Sequence, residues 1–216
     1  MTYQLQTAEF FCCISQWATI SSAQKHKHRT ILNGRRMVFD LHTDMTNGYA
    51  FVEELTASAL SFSPDSLEND PDSFIDFLDS ISHLRLLPLE EIESAGKEAF
   101  CLFVNMYHCL LQHAMLLSVD STLDKRSVGH FMRTMCYEIG DDVFSLAEIN
   151  ASILRGKMSR PLNPKPPYIE APKKSNAYRL YALEYSDARI NFVLVSRTWM
   201  LLSSSGLVCT LPGVVH

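Results

Sequence analysis

The chain has 216 residues, 47% hydrophobic and 20% charged, the balance of a soluble globular protein of one domain with an attached segment or of two small ones. Its 19 Lys and Arg against 24 Asp and Glu leave a net charge of −5, which argues against a general nucleic-acid binder. No basic leader before a long apolar run opens the chain, and no run of about 18 apolar residues occurs, so neither a signal peptide nor a membrane span is expected.

Residues 1–23 mix aromatics, serines and threonines without a period. The run "KHKHRTILNGRR" (25–36) then holds five Lys or Arg and two His, whereas residues 65–93 hold nine Asp or Glu against Arg85. Such segregation reads as a basic docking site facing an acidic one, in a partner or within the chain, or as a solvated loop and an exposed helix face. "RMVFDLHTD" (36–44) alternates like a strand, and "GYAFVEELTASALSF" (48–62) suits a helix ended by "SPDS". Asp70 is placed as an N-cap with Pro71 at the first helical position. Behind it Phe74, Phe77, Leu78, Ile81 and Leu84 recur at spacings of three and four, which gives one apolar face. Pro88 stops that helix and can start a second, "PLEEIESAG".

A long helix follows, from about Glu98 to Leu117. It is apolar nearly all round, yet it carries Asn105, His108, Gln112 and His113. The polar "SVDSTLDKRS" separates it from "VGHFMRTMCYEIG". Ser145 and Glu148 in "SLAE" form a capping-box pattern that opens the helix "LAEINASILRG", closed by Gly156. Residues 158–176 hold five of the nine prolines and read as extended. "YRLYALEYS" (178–186) and "RINFVLVS" (189–196) carry the aromatic and branched residues of strands. Helices first and strands last predict an α+β domain.

Three blocks resemble a known family. "KEAFCLFVNMYHCLLQHAMLL" (97–117) resembles the FW-x-N-x-YN-x-x-x-x-H helix of the "domain of unknown function 547" family. "YEIGDDVFSLAEINASILRG" (137–156) is similar to its Ser-Leu, Asp/Glu-Ile, Ile-Leu-Arg segment, and "DARINFVLVS" (187–196) to its D-P-R-I-H-F-A-L strand. The resemblance implies a papain-like, cysteine peptidase-type fold, with helices and then a small, mostly antiparallel sheet, and it carries the suspicion of a Cys–His peptidase activity. It sets the family-like domain at 63–196, after an N-terminal segment of residues 1–62. The tail, 197–216, reads as apolar and divergent, as a truncation of the family's final element would leave it.

Asn105, Tyr107 and His113 match the family helix, and His108 stands where its second Asn is usual. Arg155, Asp187 and Arg189 match the other two blocks. Asn191 occupies the position of the strand His, and Ser196 that of a Cys or small polar residue near the strand end. Asn105 and His113 then read either as a polar cleft that orients a catalytic group or as core residues that bond crossing backbone. Arg155 complements the end of its helix dipole or forms a salt bridge, with Asp187 as the candidate partner. Asp187 and Arg189 make a plausible ion pair.

A cysteine nucleophile needs a base that takes its proton, and the Asn191 amide does not titrate in the useful range. This favours a non-catalytic interaction or regulatory domain. The alternative is a hydrolase using Cys101, Cys109 or Cys136 with His113 or His130. Cys12, Cys13 and Cys209 complete the six cysteines, which show no CxxC spacing and read as reduced intracellular thiols of a cytoplasmic protein. Disulfide exchange is correspondingly disfavoured. Cys109 and His113 form half a metal site, and His26 with His28 is the other cluster, so neither a metal nor a cofactor is expected. A protein partner is the interaction that remains.

Overall fold

The computed structural model describes residues 28–35, 47–63, 67, 69–89, 92, 96–117, 125–158, 181–185 and 187–194. Strand β1 (Thr30–Ile31) comes first, followed by helices α1 (Gly48–Ser61) and α2 (Pro71–Ser82), a 3₁₀ turn (His83–Leu86) and α3 (Lys97–Leu116). Helix α4 (Lys125–Thr134) leads into β2 (Met135–Ile139) and β3 (Asp142–Ser145). Helix α5 (Leu146–Glu148) runs on as a π-helical turn (Ile149–Leu154), and a single turn, α6 (Ile190–Val193), follows.

The Asp70 cap acts as read: it accepts the Ser73 N–H, with Pro71 in the first turn of α2. Asn47, not singled out from the sequence, caps α1 by accepting from Ala50. Phe74, Phe77, Leu78, Ile81 and Leu84 are all buried. Helix α3 lies at the centre, with α1 packed along it and β2 and the π turn against other faces. By length and composition α3 could cross a membrane, yet 83% of its apolar stretch is buried inside the protein. It is a core helix, apolar all round because it is covered all round. One cluster of buried side chains runs from Leu32 through Val52, Phe74 and Leu110 to Ile190.

The sheet is mixed and has the order β1-β2-β3. Strand β1 runs parallel to β2, pairing Thr30 with Met135 and Ile31 with Cys136. Strands β2 and β3 form an antiparallel hairpin, from Cys136 opposite Ser145 to Ile139 opposite Asp142. Gly140 turns the hairpin at φ +57°, and a Cβ there would lie 3.0 Å from the Leu87 carbonyl oxygen. Its N–H donates to the Leu84 carbonyl at 3.1 Å, which ties the hairpin turn to the 3₁₀ turn after α2.

Three expectations are corrected. The order of helices first and strands last fails, because β1 precedes every described helix and the hairpin lies between α4 and α5. "LAEINASILRG" is not one regular α-helix, since Arg155 N–H reaches the carbonyl of Asn150 across a wider π turn. The strands expected at 178–186 and 189–196 are absent among the described residues of those stretches, and Ile190–Val193 is helical. There the Asp187 carboxylate accepts the Arg189 N–H at 2.9 Å, and the Ile190 and Val193 amides bond back to the carbonyls of Asp187 and Arg189. Backbone groups satisfied locally need no partner strand, and β-propensity, a weak preference, yields. The expected strand at 36–44, most of "PLEEIESAG", nearly all of the Pro-rich stretch and the tail lie outside the described residues.

The capping box carries more than local order. The Glu148 carboxylate accepts from the backbone N–H and the hydroxyl of Ser145, both at 2.8 Å, and the Ser145 hydroxyl accepts the Glu148 N–H. Arg29, just before β1, donates to both Glu148 oxygens, at 2.6 and 3.1 Å, and to the Val143 carbonyl at 2.9 Å. Glu148 is 1% exposed and Arg29 25%. Removing the cation leaves a buried carboxylate without its counter-charge, so Arg29→Met is expected to cost about 2–4 kcal/mol. Urea unfolding at neutral pH measures it, and Arg29→Lys should recover only part of the loss because it lacks the fork.

Candidate functional site

Part of the polar set of α3 lies along one buried face. Residues Asn105, Cys109 and His113 follow one another at spacing four and so share a face, and all three are at most 2% exposed. The Asn105 carbonyl accepts from the Thr56 hydroxyl of α1 at 3.1 Å, and the same hydroxyl donates to Val52. The hub is Tyr137 of β2. Its hydroxyl lies 3.0 Å from His113 Nδ1 and 3.7 Å from Cys109 Sγ, and it donates to the Cys109 carbonyl at 3.4 Å. The Cys109 thiol also donates to the Leu55 carbonyl at 3.8 Å. Gln112, one step round, donates to the Phe62 carbonyl at 2.8 Å and fastens the end of α1. His108 is buried, with its ring edge-on to Tyr107 at 5.8 Å.

Burial dominates the titration of this cluster. It pushes the Cys109 thiol up to about 12, against a smaller lowering by the Tyr137 hydroxyl, and it holds His113 down to about 3. Tyr107 is pushed up to about 12, opposed by the charge of Arg155. The His113 ring packs edge-on against Phe74 and Phe77, and its Nε2 is buried with no hydrogen-bond partner among the described residues. A neutral imidazole tolerates that site, whereas a charged one would lose its solvation.

A second group gathers where α6 meets the π turn. Arg155 donates from Nε to Asn150 at 2.8 Å and from Nη1 to the Asn191 side-chain oxygen. The pairing of Arg155 with Asp187 is therefore corrected. Asp187 is held instead by Arg189, with Nε 3.0 Å from both carboxylate oxygens and Nη2 2.6 Å from one. These bonds, first among several causes, keep the Asp187 carboxyl below the usual range. The Arg189 guanidinium also lies over the Phe100 ring, 5.4 Å from its centroid. Ser196 lies outside the described residues.

The other candidate pairs do not form. Cys136 of β2 is fully buried, its thiol donating to the Thr134 carbonyl at 3.2 Å and pushed up to about 12, chiefly by burial and less by the charge of Glu148, against a lowering by Arg29. His130 stands exposed on α4, and Cys101 is half-buried. No group of metal-ligating side chains suited to an ion occurs among the described residues. Reasoning from sequence missed Tyr137, Arg29 and Asn33. Asn33 is 1% exposed, accepts the Glu138 N–H at 2.8 Å and donates to the Glu138 carbonyl at 2.7 Å. All three act across more than twenty residues of chain, and no local spacing marks them.

His113 makes stability depend on pH. Its folded value lies below the value near 6.5 of an exposed histidine, so between about pH 6.5 and 3 the unfolded chain binds a proton that the folded one refuses. Its stabilising contribution is whole above 6.5 and falls with pH by up to about 1.4 kcal/mol per unit. His113→Phe is expected to flatten that dependence when urea midpoints are compared from pH 7 to 4. An unchanged slope would place the acid sensitivity elsewhere.

Residues 92–201, half of the chain, match the family described as "Protein of unknown function, DUF547". The match takes in α3, the hairpin, the π turn and α6. It also runs past Ser196 to residue 201, so the first residues of the tail expected to diverge lie within it. No curated protein and no solved structure matches the chain. On a match that spans half its length and all three blocks of its motif residues, the chain belongs to the DUF547 family.

Proposed function

We propose that this chain is a non-catalytic interaction or regulatory domain of a cytoplasmic protein, degenerate relative to a papain-like fold. The observation that carries the reading is the state of its buried thiol and imidazole. Cys109 and His113 are both enclosed, and each contacts the Tyr137 hydroxyl. Burial opposes the thiolate in one and the imidazolium in the other. A cysteine hydrolase needs the reverse, a thiolate made by an adjacent base and open to substrate. Asn191, at the family's His position, holds Arg155 and so serves a structural bond. The buried thiols of Cys109 and Cys136, neither of them in a disulfide, support the cytoplasmic assignment.

The second reading, a cysteine hydrolase, is favoured by one observation, the proximity of Cys109 and His113 through a single hydroxyl. Iodoacetamide labelling near neutral pH, mapped cysteine by cysteine, separates the two. A non-catalytic domain should alkylate Cys109 and Cys136 far more slowly than a free cysteine peptide, with the rate rising as urea opens the fold. Reaction at either faster than the free peptide, persisting toward pH 6, would establish an activated thiolate and overturn the proposal.

A further inference from the structure

An open groove of about 550 Å³ lies between α1 and α2, and none of the family-motif residues lines it. Its apolar part comprises Phe51, half-buried, with Phe62 and Phe77 behind it. Those two rings pack at a tilt of 53° with centroids 5.6 Å apart, and Gln112 of α3 donates to the Phe62 carbonyl at 2.8 Å. The apolar part is thus fixed before any ligand arrives, which lowers the ordering cost of binding. Exposed Glu54, Asp70 and Asp76 also line the groove, and no Lys or Arg does so among the described residues. Arg35 pairs with Asp79 of α2, which is not in the lining.

We propose that this groove docks a short Lys- or Arg-bearing segment of another protein, with an apolar side chain set against the Phe51 region. Two features select this occupant. Unbalanced negative charge along an apolar cleft complements a cation beside a hydrophobic anchor. The carboxylates do not converge, since no group able to hold a metal ion is found among the described residues, so separated cationic side chains fit them and a single ion does not. An acidic cleft equally repels nucleic acid and anionic lipid. The proposal rests on the reading of the chain as an interaction domain and names the chemistry of its partner.

The test is fluorescence anisotropy of the full chain with a labelled peptide alternating Lys and Leu. Two matched peptides carry Glu for Lys or Ser for Leu. The expected result is saturable binding of the Lys/Leu peptide, weakened by salt, with each matched peptide bound at least about tenfold less tightly. Glu54→Lys with Asp76→Lys should lower affinity by about tenfold or more, while Glu184→Lys, exposed and outside the groove, should leave it unchanged. If the doubly reversed variant melts early, Glu54→Gln with Asp76→Asn carries the same test. No binding of the Lys/Leu peptide, equal binding of the Lys/Ser peptide, or equal loss in Glu184→Lys would overturn the groove assignment. The failures are distinguishable, because an activated thiolate would sink the interaction reading whatever the peptide does. Slow thiols with no peptide binding would sink the groove alone.

Discussion

The fold turns on a carboxylate taken out of water and then fully employed. Glu148 meets the N–H and hydroxyl of Ser145 on one side and the Arg29 fork on the other. A buried carboxylate is costly alone and tolerable only when its lone pairs are filled. Filling them joins the approach to β1 to the junction of β3 and α5, 119 residues further along the chain. The parallel pairing of β1 with β2 spans only two residue pairs, too few hydrogen bonds to hold a strand against its conformational entropy. The ion pair and the Arg29 bond to the Val143 carbonyl supply what that short ladder lacks.

From that anchor the logic passes to α3. A helix covered on all sides must satisfy any polar side chain it carries from neighbouring elements. Gln112 reaches the end of α1 and His113 meets Tyr137 of β2 in this way, and the backbone carbonyls of Asn105 and Cys109 take bonds from Thr56 of α1 and from Tyr137. Hydrophobic burial alone would hold these elements together in more than one register. Directional bonds at fixed positions along α3 select one, because a slip by a single residue would strand Tyr137 and His113 in the core.

Local chemistry was legible in the sequence and long-range pairing was not. Asp70–Pro71 and the Ser145–Glu148 box mark helix starts because capping acts within three residues, and the period of Phe74, Phe77, Leu78 and Ile81 reports one buried face. The polar residues of α3 stood out against an apolar background, yet their partners Thr56 and Tyr137 carried no mark of their own. The clearest misreading, a strand at 189–196, came from side-chain preference. Asp187 decided the matter by capping the turn from two residues upstream. A branched run before an Asp-x-Arg turn is ambiguous until the backbone partners are known. The pairing of Arg155 with Asn191, not with Asp187, likewise depends on where α6 ends up relative to the π turn.

The same burial that explains stability bears on activity. Reactive groups need water, substrate and an adjacent charge, whereas a tightly closed core removes the first two and penalises the third. In this chain the Cys109–Tyr137–His113 constellation is fully enclosed among α1, α3 and β2. Making Cys109 a nucleophile would require opening the packing that fixes α1 against α3, and with it the Phe62 floor held by Gln112. Activation of the thiol and integrity of the α1–α2 groove therefore draw on the same contacts in opposite senses. A chain that keeps its core closed preserves the groove, and this is the physical reason to weigh a binding role above a hydrolytic one.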